Sequence, residues 1–428
     1  MLNTLINAFR EKEIRKKMIL TLLMLLVFRL GCYIPVPGIA SGSFQTVAQT
    51  NDFFSIMSTL TGGSLSNGTL FALGIIPFIN AFIIMQLLTL IIPPLDRLSK
   101  QGEDGRKKIT QITRYVAILL AVVQGVGICL GYGKNMFDAT FKSVGLTMAL
   151  VIIMFVGGSC LVMWIADRIT EYGIGNGTSL IIFAGILASA GDALLNAFKN
   201  VGDGNVAKNV WMIIGFLLVV LFVFVFIIFV DLAERKITIQ YAKQVKGNKM
   251  YGGQSTHIPM KVNAGGVMPI IFASSFLMFP QMIASFWPTS KFYIWWAQWL
   301  GIGTPIYIAV MCLLILFFSF FYSQIQFNPE DISKNIQQNG GFIPGIRPGR
   351  PTADYLRKIN NRITLFGAIF LAVIALVPSV VFKYIGAENG LSNAFSATGL
   401  LIVVSVAMEF DTQLQNQLMM KHYKGFLK

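Results

Sequence analysis

Few residues in this sequence are equipped for chemistry, and their spacing assembles no reaction centre. The two histidines, His257 and His422, lie far apart and outside the apolar stretches, while Cys32, Cys129, Cys160 and Cys312 lie singly inside them. Neither pattern matches a metal-ligand set or a disulfide framework. The sequence has no Walker A loop and no nucleophile elbow. Within the apolar runs the clear ionisable residue is Arg29, near the outer end of the first run. A side chain there snorkels to the interface or caps carbonyls. Asp167 and Arg168 stand at the inner end of another run and read as interfacial. Charge inside a bilayer is costly and marks proton relays and ion paths. Without a buried carboxylate or histidine, proton-coupled transport has no carrier. The sequence predicts no enzyme, no cofactor and no metal, and a protein that powers nothing itself.

The elements that must position any site are apolar. Of 428 residues 55% are hydrophobic and 12% charged, a balance far from that of soluble chains. A helix needs about 20 mostly apolar residues to cross the hydrocarbon core. Ten runs meet or approach this: 18–34, 70–92, 115–132, 144–165, 174–190, 210–230, 264–287, 305–325, 363–382 and 393–410. The first follows Lys12, Arg15, Lys16 and Lys17 as a secretory signal would, but Pro35-Val36-Pro37-Gly38 replaces a cleavage pattern, so it reads as a retained span. An even number of crossings puts both termini on one side. Lysine and arginine crowd that side, in the N-terminal tail, 94–114, 231–261, 326–362 and the C-terminal tail. Only six lysines (Lys134, Lys142, Lys199, Lys208, Lys291, Lys383) fall opposite. The positive-inside rule makes the crowded side cytoplasmic, and the net charge of +15 is concentrated there.

Two connections, 231–261 and 326–362, exceed ordinary loop length, and such loops are commonly functional. A short apolar piece within 53–69 is too brief to cross. It suits a helix that dips in and turns back, sheltered by protein or a water-filled cavity. Glycine and proline interrupt the spans at Gly74 and Pro77, at 173–177, at Gly265, Gly266 and Pro269, and at Gly399. Each could be a kink or a close-packing position. They divide between two sets of five spans, which is compatible with an internal repeat.

Seven blocks then carry a resemblance across essentially the whole chain: FRLGCYIPVPGI (28–39), ALGIIPFINAFIIMQLLT (72–89), GRKKITQITRY (105–115), EYGIGNGTSLIIFAGI (171–186), QSTHIPMKVNAGGVMPIIFASS (254–275), FNPEDISKN (327–335) and GGFIPGIRPGRPT (340–352). The chain resembles the SecY family, the channel subunit of the bacterial protein-export translocon. The resemblance implies an all-α membrane protein of ten transmembrane helices, in two pseudo-symmetric five-helix halves around a central hourglass pore. The halves would be 1–190 and 210–410, joined by an external hinge at 191–209 and followed by a cytoplasmic tail at 411–428.

The resemblance also implies site residues. A central collar maps to Ile75, Ile79, Thr178, Ile182, Ile271 and Ile402, with Thr178 departing from the family's aliphatic pattern. A plug maps to 53–61, with Phe53, Phe54, Ile56, Met57 and Leu60 as its apolar residues. A lateral gate between the second and seventh spans maps to Asn80, Gln86, Asn263 and Phe279. Docking of the ribosome and of the motor ATPase SecA maps to Arg235, Lys236, Lys243, Lys246 and Lys249 on one loop and to Arg347, Arg350, Arg357 and Lys358 on the other. Other partners implied are the SecE and SecG subunits, signal sequences, nascent polypeptides and membrane lipid, in a bacterial cytoplasmic membrane. A branched apolar collar is the physical solution for a passage that admits a polypeptide yet stops ions, since it seals by dewetting without selecting sequence. Read without the resemblance, the same residues are ordinary bundle packing, and the basic loops could serve topology or anionic lipid. A ten-span solute transporter would need intramembrane coupling residues, and a lipid-handling enzyme a catalytic cluster at one interface. Neither set is present.

Overall fold

The computed structural model describes residues 2–39, 52–132, 137, 144–199, 206–241, 244–246, 249–251, 255–263, 265–285, 290–301, 304–385 and 397–426. Every apolar run predicted above falls on a helix. In chain order the helices are α1 (Leu2–Arg10), α2 (Lys12–Gly31), α3 (Asp52–Leu60), α4 (Ile76–Ile91), α5 (Pro93–Ser99), α6 (Glu103–Tyr132), α7 (Val144–Tyr172), α8 (Gly177–Lys199) and α9 (Val206–Asp231). They continue with α10 (Met268–Ser285), α11 (Lys291–Leu300), α12 (Pro305–Gln326), α13 (Pro329–Gln338), α14 (Arg350–Ile385) and α15 (Ala397–Phe426). Among the described residues six helices are long and apolar enough to cross a membrane, or seven if the bent pair α4 and α5 is one span.

Helix α7 shows why these elements suit lipid. Its buried positions, Thr147, Val151, Phe155, Gly158, Ser159, Val162, Ile165, Ala166 and Ile169, recur every three to four residues and make one face. The opposite face carries exposed Ile153, Leu161 and Trp164. A helix apolar all round is not built for water. Helix α9 repeats the pattern, with Leu221, Phe222 and Phe229 facing outward.

The second span is shorter than its apolar run. Helix begins only at Ile76, with Pro77 in its first turn, and the preceding 61–75 winds through turns. Those backbone groups are paired inside the protein: Val36 N–H donates to Gly68 O (3.1 Å), Leu70 N–H to Ile34 O (2.9 Å) and Thr69 N–H to Ser64 O (3.1 Å). Such pairing is the condition for irregular backbone at membrane depth. At the other end Pro93 cannot continue the ladder, and the chain bends by 105° into α5.

The two long basic loops, read from the sequence as separate, form one platform. Strand β1 (Glu234–Tyr241) pairs antiparallel with β4 (Ser255–Lys261), placing Ile237 opposite Ile258. Its other edge takes β5 (Gly341–Phe342) from the second loop, so the order is β4-β1-β5. A small hairpin of β2 (Gln244–Lys246) and β3 (Lys249–Tyr251) stands between them in sequence. Ile237, Ile239 and Met260 pack on Ile336 of α13, on Ile343, and on Leu356 and Ile359 of α14. Leu356 is fully buried. Leu356→Ala is therefore expected to cost about 2–5 kcal/mol locally and to open 234–261 to trypsin. An unchanged digestion pattern would show that the two loops are not one packed unit.

The tail is also more than an appendage. α15 continues as helix to Phe426, and its Leu414, with no exposed surface, packs among Ala8, Ile14, Met18 and Ile174. Likewise α8 runs on to Lys199 and α9 starts at Val206, so much of the predicted hinge is helical; 200–205 lie outside the described residues.

Candidate functional site: an isoleucine-lined cavity and a basic platform

A cavity of about 100 Å³ lies among α4, α8, α10 and α15. Ile75 and Ile79, one turn apart where α4 begins, enter its wall beside Ile182 of α8, Ile271 of α10 and Ile402 of α15. Five β-branched side chains thus converge from four helices distant in sequence. Ile75, Ile182 and Ile402 are at most 6% exposed and belong to one apolar cluster, against which Ile79 and Ile271 pack. Thr178 is not among the lining residues. It sits in the first turn of α8, where its N–H donates to Asn176 Oδ1 (3.1 Å), and Ile181 lines the cavity beside Ile182 instead.

Helix α3 contributes to the same cavity. Its Phe54 and Met57 are 1% and 2% exposed and pack with Leu73, Ile76, Val151 and Phe155. Met57, Leu60 and Thr61 face the cavity. Phe53 and Ile56 belong to the same helix. Two contacts fix α3 against α8: Ser189 Oγ donates to Thr59 O (3.0 Å), and Gly185 lets the Leu60 carbonyl approach where any Cβ would collide. Helix–backbone approach of this kind is what glycine permits.

The residues that the resemblance assigns to a lateral gate separate into two groups. Asn80 of α4 and Phe279 of α10 both line the cavity, together with Ser274, Ser275 and Met278. Gln86 does not line it, lying six residues beyond Asn80 on α4, about 240° round the helix. Asn263 does not line it either. Its Nδ2 donates to Asp231 Oδ1 (2.9 Å) while Ser405 Oγ donates to Asp231 Oδ2 (2.9 Å). The carboxylate at the C-terminal end of α9 thereby ties the approach to α10 and the first third of α15. Sequence reasoning missed Asp231 because it marks a span's end. It also missed Gln124, 2% exposed and lining the cavity, whose Oε1 has no hydrogen-bond partner among the described residues. A glutamine within an apolar run was the available signal for it.

On the platform Arg235 and Lys236 are exposed on β1, the latter 3.3 Å from Glu234. Lys246 and Lys249 lie on β2 and β3, and Lys243 lies outside the described residues. Arg350 and Lys358 are exposed, and Arg357 is exposed with Nη2 3.2 Å from Glu330 Oε1. Arg347 is exposed at a braced tip. Its carbonyl accepts from Thr352 Oγ1 (2.8 Å), the Gly349 carbonyl accepts from Ser333 Oγ (2.7 Å), and both Thr352 and Ser333 are buried. Gly345 and Gly349, at φ +82° and +95°, turn the chain on either side of it. Arg235 and Lys236 of the first loop and Arg347, Arg350, Arg357 and Lys358 of the second therefore share one packed unit, while Lys246 and Lys249 stand on the separate β2–β3 hairpin.

A family model described as SecY matches residues 69–410. The protein translocase subunit SecY of Streptomyces galbus is 42% identical over 447 aligned residues, covering 100% of each chain. The chain belongs to the SecY family. A SecY structure, described for a plug domain that stabilises the closed translocation channel and maintains a membrane seal, is similar with TM-score 0.66 at 20% identity, covering 94% of this chain and 91% of that one. Sec61 in a canine ribosome–channel complex from the endoplasmic reticulum has TM-score 0.65 at 20% identity over the same shares. As a SecY family member the chain is a protein-translocase subunit that forms a membrane-embedded, protein-conducting channel of helical fold.

Proposed function

We propose that the five isoleucines form the constriction through which unfolded secretory polypeptides pass, that α3 closes it, and that α4 and α10 part to release apolar segments into lipid. The observation carrying this reading is the cavity itself, walled by Ile75, Ile79, Ile182, Ile271 and Ile402 and floored by α3. Branched apolar side chains grip no particular sequence and exclude water when nothing fills them. Asn80 and the serines of α10 supply weak polar contacts, each about 0.6–2 kcal/mol, which an arriving signal helix can replace. Phe279 gives its apolar core a surface. The channel crosses the bacterial cytoplasmic membrane ten times with both termini inside, works with SecE and SecG, and is driven by SecA or the ribosome seated on the platform. Ribosomal RNA offers phosphates, for which exposed lysine and arginine are suited.

Deleting 53–61 from the reconstituted complex tests the reading. A sealed channel that loses its plug is expected to pass ions in the absence of substrate while still exporting precursor. Membranes that stay tight, with uptake of a small solute abolished, would point to a transporter and overturn it.

A further inference from the structure

Arg29 has an unusual position for a guanidinium. It sits half-buried near the outer end of α2, and among the described residues no carboxylate pairs with it. Its Nη1 instead donates to the main-chain carbonyl of Gly62, 3.2 Å away and two residues beyond the end of α3. Gly62 and Gly63 hold φ of +67° and +83°, a conformation that turns the chain sharply out of α3. A side chain at Gly62 would run into the Arg29 guanidinium and come within 3.1 Å of Gly185 Cα on α8. Tyr33 stands against the guanidinium, with its ring centroid 5.6 Å from Arg29 Cζ and its hydroxyl accepting from Nη2 at 3.5 Å. The site is built: one cation, one neutral carbonyl, a ring that orients the cation, and a glycine that makes room.

We propose that Arg29 is the positioning residue of the plug, a latch that holds the turn after α3 against α2 and α8 in the sealed state. This rests on reading α3 as the plug. The chemistry suits a latch. A guanidinium–carbonyl bond is stronger than a neutral hydrogen bond, yet it carries no ion-pair partner whose charge would be stranded when it breaks. Because the bond is made to main chain, the hold is indifferent to the plug's own side chains. Tyr33 removes rotameric freedom from the arginine before the bond forms, so less is lost on closing.

The test compares Arg29→Gln, Arg29→Lys and Tyr33→Leu with the 53–61 deletion, each in the reconstituted complex. Arg29→Gln is expected to raise substrate-free ion conductance about tenfold, toward that of the deletion, and to add nothing when combined with it. Arg29→Lys keeps the charge but loses the planar fork, and Tyr33→Leu keeps the arginine but frees it, so both should fall between. Amide exchange should quicken over 54–63 in Arg29→Gln while α7 keeps its protection, which separates release of the plug from misfolding. A leaking deletion beside a tight Arg29→Gln variant overturns the latch alone. Added leak in the combined variant also overturns it, since the arginine would then act elsewhere. A deletion that does not leak overturns the plug reading and the latch together.

Discussion

Arg347→Glu is expected to lower SecA-driven export at least about tenfold while the protein still inserts, assembles and holds its ion seal. The side chain is exposed, so its replacement should leave the fold alone. What it loses is presentation. Thr352 and Ser333, both buried, fasten the backbone at Arg347 and at Gly349, so the residue is presented to a partner from an ordered backbone. A charge reversal on a pre-ordered tip replaces attraction by repulsion without first having to order the loop. Lys358→Glu changes the same charge on a straight helix face and should cost much less. Export by purified SecA into vesicles, set against crosslinked assembly with the small subunits, is the measurement. Normal SecA-driven export in the Arg347→Glu variant would remove this loop from the docking surface.

The second large effect concerns the collar. Changing Ile75, Ile182 and Ile402 together to asparagine should make the resting channel conduct ions several-fold more strongly, with export of precursor retained. Three amides of similar size keep the constriction narrow but let water bridge it, so the barrier set by dewetting falls. Retained export is the sign that the variant is folded and that the collar seals without selecting. Conductance equal to that of the parent protein, with export intact, would mean the seal lies elsewhere and that α3 alone provides it. Thr178→Ile supplies a contrast. Outside the cavity lining, that residue should leave conductance unchanged.

How much of this was legible in the sequence depended on whether the signal was local. Apolar runs and the sidedness of lysine and arginine are properties of short stretches, and every predicted run falls on a helix. The start of the second span was overestimated because hydropathy cannot distinguish helix from buried irregular backbone. Residues 70–75 are apolar in either state, and only the partners of their N–H groups separate them. The positions assigned to the collar came from the resemblance, since Ile182 and Ile402 look like any bundle isoleucine until their helices are placed side by side. Thr178 was one turn from the lining, an offset that no spacing argument detects. Asn263 was assigned to the lateral gate at the start of the seventh span, and its side chain donates to Asp231, a pairing across 32 residues that no local pattern shows. The union of the two basic loops through β1 and β5 involves strands of eight and two residues roughly a hundred positions apart. Nothing in either loop alone announces the other.

The platform also behaves as a handle. β1 leaves α9 three residues after Asp231, and β4 returns to Asn263, with Val262 N–H bonded to Ala233 O at 3.0 Å. β5 pairs with β1 at Gln240 and Tyr241, and β1 runs back from there to within three residues of Asp231, so the Arg347 loop and Asp231 are joined by one strand. There the carboxylate grips Asn263 and Ser405 at once. Asp231 is therefore bonded at once to the segment leading into the helix that bears Ile271 and to the helix that bears Ile402, so a displacement of the platform is expected to act on two walls of the cavity together.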